Sequence, residues 1–306
     1  MSYFYLSGAM FIVGSSVVVG KIITSDFPLF LASGLRFLVA TLLLFPMGVY
    51  KRTLFSLSRH DWYIISTMAF CGQILFTILL LLGLRYTSGI NAGTLTSTTP
   101  FFMALIAFAF LGERFSAWQI FGLLLAVGSI ILLSIDTFRM ILQGGKISWL
   151  GNLLILAAVG SEAVFLLFAK KLEKQLSGLE LTAILSLLGF LLCLPPAIIE
   201  AAGFNFQALG VADIIAVFYF GAIYTDLAYI CWFRGITGVS AAVASASTAV
   251  MPLSAALLST FLLQEDISAL QLIALLMAVS AILALASAEN ERNICDDSAR
   301  NQMQKR

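Results

Sequence analysis

Charge is what this sequence has least of. Only 11% of its 306 residues are Asp, Glu, Lys or Arg, and 60% are apolar, whereas a soluble domain carries about 25% charged residues. That balance excludes a water-soluble enzyme, a nucleic-acid binder with a basic face and a disordered chain. The single histidine, His60, lies in a polar loop (Ser58-Arg59-His60-Asp61), so a metal centre needing two or three imidazoles cannot be built. Cys71, Cys193, Cys231 and Cys295 show no CxxC and no paired spacing, which leaves no zinc site and no disulfide framework. No histidine and no nucleophile–base motif falls in the apolar runs. No cofactor, metal or catalytic residue is expected, and an intramembrane enzyme is a remote alternative.

What is present is apolar length. A helix needs about 20 apolar residues to cross a bilayer core of about 30 Å, and ten runs qualify: 3–23, 28–49, 62–83, 88–111, 117–135, 149–169, 181–199, 213–233, 239–263 and 268–287. The first lacks the basic start and the cleavage site of a signal peptide and is read as a mature helix. With the N-terminus inside, the inner segments carry 12 Lys and Arg against 4 outside, which puts both termini in the cytoplasm. The polar tail after Ala288 is expected to be disordered.

The ten runs divide into two copies. A shift of 152 residues lays 83–133 on 235–285 without a gap, with 18 of 51 positions identical, among them Pro100/Pro252, Glu113/Glu265, Ser116/Ser268 and Gln119/Gln271. Five spans per copy is an odd number, so the second copy enters the membrane upside down, and inverted repeats are a transporter signature. The expected fold is an all-α polytopic membrane protein of ten transmembrane helices in two inverted five-helix repeats. The repeats cover 1–136 and 149–287, with a connecting loop at 137–148 and a cytoplasmic tail at 288–306. Ser88, Ala92, Thr96 and Pro100 recur four apart, as do Ser240, Ala244, Thr248 and Pro252. This small-residue face predicts that the fourth and ninth helices pack on each other about the pseudo-twofold axis. Both prolines fall mid-span, where each is expected to kink its helix at a packing contact or gate.

Three ionisable residues lie deep inside spans: Arg36, Glu162 and Asp226. Each costs at least about 2.5–3.5 kcal/mol at a helix centre, which makes it a functional candidate. The two acids sit at one depth, about 12 Å from the cytoplasmic end at 1.5 Å per residue; facing each other, they could share a proton or receive a substrate amine. Arg36 could take a substrate carboxylate or pair with an acid. Gln73, Asn91, Thr98, Tyr224 and Trp232 complete the substrate-binding candidates, and Thr96 and Thr248 join the prolines as packing or gating candidates.

Val13-Gly14-Ser15, Lys21, Pro28, Leu35-Arg36-Phe37, the Leu84-Arg85-Tyr86-Thr87-Ser88 stretch, and Pro100 followed by Leu111-Gly112-Glu113-Arg114-Phe115-Ser116 resemble an EamA domain of the drug/metabolite transporter superfamily. Pro252 followed by Leu263-Gln264-Glu265-Asp266-Ile267-Ser268 is similar, with Gln264 where the pattern has glycine. The resemblance implies ten helices in two inverted halves, with helices 1–4 and 6–9 around a central cavity and 5 and 10 outside it. It also implies export or exchange of small metabolites. Lys21, Pro28, Arg36, Pro100 and Glu113 match the general pattern, whereas Glu162 and Asp226 do not and are the better candidates for specificity or coupling. The expected protein is a monomeric inner-membrane carrier, partnered by lipid and a small polar, amino-acid-like solute, with no nucleic acid. A multidrug or quaternary-ammonium exporter is the alternative.

Overall fold

The computed structural model describes residues 2–44, 57–99, 101–103, 105–106, 116–142, 149–169, 172, 176–236 and 246–304. Its helices are α1 (Ser2–Asp26), α2 (Leu29–Leu44), α3 (Arg59–Tyr86), α4 (Gly89–Thr96), α5 (Ala117–Leu142), α6 (Trp149–Ala169) and α7 (Gly178–Ala202). They are followed by α8, formed by the contiguous segments Val211–Phe218, Tyr219–Leu227 and Ala228–Ile236, then α9 (Val250–Leu262) and α10 (Ala269–Gln304). Seven of the ten are long and apolar enough to cross a membrane, α2 and α9 are shorter apolar helices, and α4 has eight described residues.

The identities that survive between the copies have local work to do. Ser116 and Gln119 open α5 with a capping box: the Ser116 amide donates to the Gln119 side chain at 2.8 Å, and the Gln119 amide donates back to the Ser116 hydroxyl at 3.3 Å. Ser268 and Gln271 open α10 in the same way, at 3.0 and 3.1 Å. Each box supplies acceptors for amides that a helix start otherwise leaves unpaired.

Packing follows the repeat. α5 lies along α10, α2 along α7 and α4 along α9, while α1 packs on α8 and α9, α6 on α3 and α4, α2 on α8 and α7 on α3. Exchanging each helix for its counterpart, α1 for α6 through α5 for α10, maps this set onto itself, whereas the further packing of α1 on α3 and α4 has no comparable α6–α8 or α6–α9 counterpart among the described residues. Outward faces of α5 and α10 stay apolar and exposed, at Phe121, Leu124, Ile131, Leu272, Leu276 and Leu283 among others, as suits a surface that meets lipid tails. The expected α4–α9 contact is made, with Gly89 against Ser259 and Gly93 against Ala255. Replacing either hydrogen with a methyl group would drive it into the neighbouring helix.

The two prolines were expected to kink their helices alike. Pro100 lies outside the described residues. Pro252 is buried in the first turn of α9, just after a turn at Thr248–Ala249, so the span restarts at the proline rather than bending around it. In the first copy α4 ends at Thr96 and a turn follows at Ser97–Thr98, one repeat-equivalent residue away. Short-range bonds tighten both breaks: the Thr98 amide donates to the Leu95 carbonyl at 3.0 Å and the Met251 amide to the Thr248 carbonyl at 3.1 Å. A proline cannot bond the carbonyl four residues back, and its ring crowds that carbonyl. The tail departs from expectation: α10 continues through Ala288 to Gln304. No glycine or proline interrupts residues 269–304, so nothing in the backbone stops the helix where the apolar span ends.

Opposite the N-terminus of α1 the bundle is tied by polar groups. Lys21 of α1 forms an ion pair with Glu265, and the same carboxylate accepts the Gly89 amide at 2.9 Å and the Ile90 amide at 3.1 Å, capping α4. Deeper in, Asn91 accepts from Gln271 at 2.8 Å, Asn152 donates to Thr137 at 2.8 Å and Thr87 donates to Asn152 at 2.6 Å. Side chains from α4, α5, α6 and α10, with Thr87 just ahead of α4, therefore meet in one buried network.

Candidate functional site

α3 and α8, which are repeat counterparts, each contain a π-helical segment, at Ala69–Leu75 and Tyr219–Leu227. Under the 152-residue shift the first falls on 221–227, inside the second. A π turn inserts one extra residue, re-aims the side chains around it and recurs at functional sites. The segment in α8 carries Phe220, Tyr224, Thr225 and Asp226, and that in α3 carries Gln73. Gly221 lets α8 approach α2 closely, since a Cβ there would stand 2.7 Å from the Arg36 carbonyl oxygen.

Arg36, 3% exposed, is held from several sides. Its Nε donates to the Thr225 hydroxyl at 2.8 Å and one terminal nitrogen donates to Thr77 at 3.3 Å. Thr225 passes its own hydrogen to the Phe220 carbonyl, five residues back, at 2.9 Å, so the π turn orients the hydroxyl that receives the arginine. The guanidinium carbon lies 4.7 Å from the ring centres of Phe37 and Phe220 and 4.6 Å from that of Tyr224. Phe220 and Tyr224 stack at 4.9 Å. Aromatic faces attract a cation and hold it flat, which gives a desolvated guanidinium a home without a carboxylate partner.

The acids are placed differently from each other. Asp226 follows Thr225, within the electrostatic reach of Arg36. It is 5% exposed, and neither carboxylate oxygen has a hydrogen-bond partner among the described residues. Glu162 of α6 accepts the Thr99 hydroxyl at 2.7 Å and interacts electrostatically with Tyr224 and Tyr229. Among the described residues no hydrogen bond joins the two acids or links either to Arg36. α1 closes another side: the Ser15 hydroxyl pairs with Tyr219, and Ser16 meets Tyr224.

Of the remaining sequence candidates, Gln73 is buried beside Tyr229, and Trp232 lies half-buried near the end of α8. Asn91 belongs to the polar network with Gln271 and Thr137, apart from the arginine. The Thr98 hydroxyl bonds the Leu95 carbonyl and that of Thr96 the Gly93 carbonyl, so both serve their own helix turn. Thr248 lies in the turn before α9. The sequence reading passed over Thr77, Thr99, Thr225, Phe37 and Phe220. Thr225 carried a signal, since the repeat aligns it with Gln73, but a threonine or phenylalanine in a membrane helix is otherwise ordinary packing.

A transporter family model, described as EamA-like, matches residues 1–135 and 149–287. The chain is 39% identical over 283 residues to the uncharacterized transporter YetK of Bacillus subtilis, covering 92% of this chain and 85% of that protein. It is 25% identical over 210 residues to a probable terminal-alkyne amino-acid exporter of Streptantibioticus cattleyicolor, covering 68% and 65%. One crystal structure superposes with a TM-score of 0.63 at 17% identity, over 93% of this chain and 96% of that one, which speaks to the fold alone.

Proposed function

Since the chain belongs to the EamA-like transporter family, we propose that it exports a small polar, amino-acid-like solute across the inner membrane by alternating access. The carrying observation is a fixed guanidinium beside a buried carboxylate with both oxygens free of hydrogen bonds among the described residues. A solute carrying both a carboxylate and an ammonium group offers each a partner, and charge-assisted bonds in a desolvated site are the strong ones. The similarity to an amino-acid exporter supports the same class. We place both termini in the cytoplasm on the loop-charge count. We assign proton coupling to Glu162, whose hydroxyl partner tolerates either protonation state.

The test is exchange in proteoliposomes loaded with labelled amino acids, with quaternary-ammonium cations in parallel. Zwitterions should exchange and Asp226→Asn should cut that exchange by about 10- to 100-fold, the worth of one hydrogen bond to a charged group. Glu162→Gln should abolish the pH dependence. Exchange of the cations alone would replace this reading with the cation-exporter alternative, and unchanged transport in both variants would remove the carboxylates from the mechanism.

A further inference from the structure

Thr99 stands between two acceptors. Its hydroxyl oxygen lies 2.8 Å from the Thr96 carbonyl oxygen and 2.7 Å from Glu162 Oε2, placed to donate to each. A hydroxyl has one hydrogen, so it serves one of them at a time while Glu162 is ionised. The Thr96 carbonyl needs that hydrogen, because an α-helix would satisfy it with the amide of residue 100, and residue 100 is a proline with no amide hydrogen. α4 ends at this carbonyl.

We infer that Thr99 is a positioning residue that couples the protonation of Glu162 to the break in α4. With Glu162 ionised, Thr99 gives its hydrogen to the carboxylate and the Thr96 carbonyl loses that donor. With Glu162 protonated, the carboxyl O–H donates to the Thr99 oxygen, and the threonine hydrogen turns to the Thr96 carbonyl. One proton arrives, one hydroxyl rotates, and every donor and acceptor on this path is then matched, whereas the ionised state leaves the Thr96 carbonyl without this donor. The second copy lacks the device. Met251 occupies the position equivalent to Thr99, and its backbone amide serves the Thr248 carbonyl at 3.1 Å. The counterpart of Glu162 there is Met10. One of two related helix breaks is therefore tied to a titratable group.

Other ionisable groups do not substitute for Glu162. Tyr224 and Tyr229 face it from α8, and phenols ordinarily stay neutral until about pH 10. On α3, the backbone carbonyl of Cys71 accepts from Ser161, the residue next to Glu162, and Asp61 caps its own helix at Ser58. On α5, Asp136 is bonded to Ser268.

This inference rests on the proton role proposed for Glu162, and its test needs no substrate. Backbone hydrogen–deuterium exchange over residues 95–103 would be followed against pH in detergent-solubilised protein. The wild type should show a transition of about three- to ten-fold in protection factor, the exchange rate taken relative to its intrinsic value at each pH, which is the worth of one ordinary hydrogen bond. Glu162→Gln, whose amide donates to Thr99 as the protonated acid would, should hold the low-pH value throughout. Thr99→Val should remove the transition while Thr99→Ser retains it. A normal transition in Thr99→Val would overturn the role of Thr99 and leave Glu162 intact as the proton site. A transition that persists in Glu162→Gln would overturn the inference together with the proton role, and one absent from the wild type would overturn the inference alone, the proton role being read from the pH dependence of solute exchange.

Discussion

Glu265 offers the clearest measure of what holds the bundle at the end opposite the start of α1. Its carboxylate accepts from the Lys21 ammonium and from the first two amides of α4, joining α1 and the segment after α9 to the start of a third helix. The ion-pair side chains are 30% and 15% exposed, so solvent screens the Lys21 contribution to about 1 kcal/mol or less. A carboxylate on the first turn of a helix adds up to about 2 kcal/mol in a partly buried setting. Glu265→Gln keeps the shape and one acceptor oxygen, so it should cost about 1–2 kcal/mol, whereas Glu265→Ala strands two amides, leaves the Lys21 ammonium its bond to the Thr87 carbonyl at 3.2 Å, and should cost about 2–4 kcal/mol. Equilibrium unfolding in mixed micelles is the assay, with Lys21→Met closing a double-mutant cycle. The coupling energy should be about 1 kcal/mol or less, below the total loss in Glu265→Ala, because most of the stabilisation comes from the amides. Wild-type stability in Glu265→Ala would refute the reasoning. So would a coupling to Lys21 as large as the whole alanine effect.

Four further outcomes follow from neighbouring features. Gln264 has φ of 53° at a position where the equivalent residue of the first copy is Gly112; Gln264→Gly should stabilise by about 1 kcal/mol, read as a rise in unfolding midpoint. Gly93→Leu should separate α4 from α9, since even a Cβ at Gly93 would press on Ala255, and a drop in thermal midpoint beyond that of Gly8→Leu, which meets nothing within 4 Å, checks it. Arg36→Lys loses the planar contact with three rings and the fork of donors, so zwitterion exchange should fall by about ten-fold with folding retained. Thr225→Val removes the acceptor of Arg36 Nε and should lower exchange less than Arg36→Lys does, because Thr77 and the rings remain.

The helices were legible because membrane spanning demands length and hydrophobicity together, and their order because an odd number of spans per copy forces inversion. The capping boxes were legible only as identities: Ser116/Gln119 and Ser268/Gln271 aligned, but it takes the backbone to show that they begin α5 and α10. The π segments were not legible, since no residue type marks an extra residue in a helix turn. They decide that Thr225 faces Arg36 and that Phe220 and Tyr224 stack beside it. Counting at 1.5 Å per residue gave the acids a common depth but not their neighbours, so Asn91 and Thr98 joined the candidates on polarity alone. Asn91 instead ties α4 to α5 and α10, and Thr98 bonds within its own turn.

What the repeat does not reproduce is as informative as what it does. The residues that cap α5 and α10 and the prolines at the helix breaks recur across the 152-residue shift, and the pairings of α5 with α10, α2 with α7, α4 with α9, α1 with α8 and α6 with α3 obey the same exchange. The three charges deep in the spans do not recur: Arg36 meets Leu188, Glu162 meets Met10 and Asp226 meets Ile74. A carrier that alternates between two pseudo-symmetric states needs equivalent surfaces to close at either end, which favours symmetry in everything that packs. A solute with two different ends needs the opposite, a site whose two sides are unlike. Charges in the low-dielectric centre are costly enough that symmetric duplicates would be lost unless each were used. We propose that these departures from symmetry mark the chemistry: Arg36 and Glu162 both reach Tyr224, and Asp226 lies within electrostatic reach of Arg36.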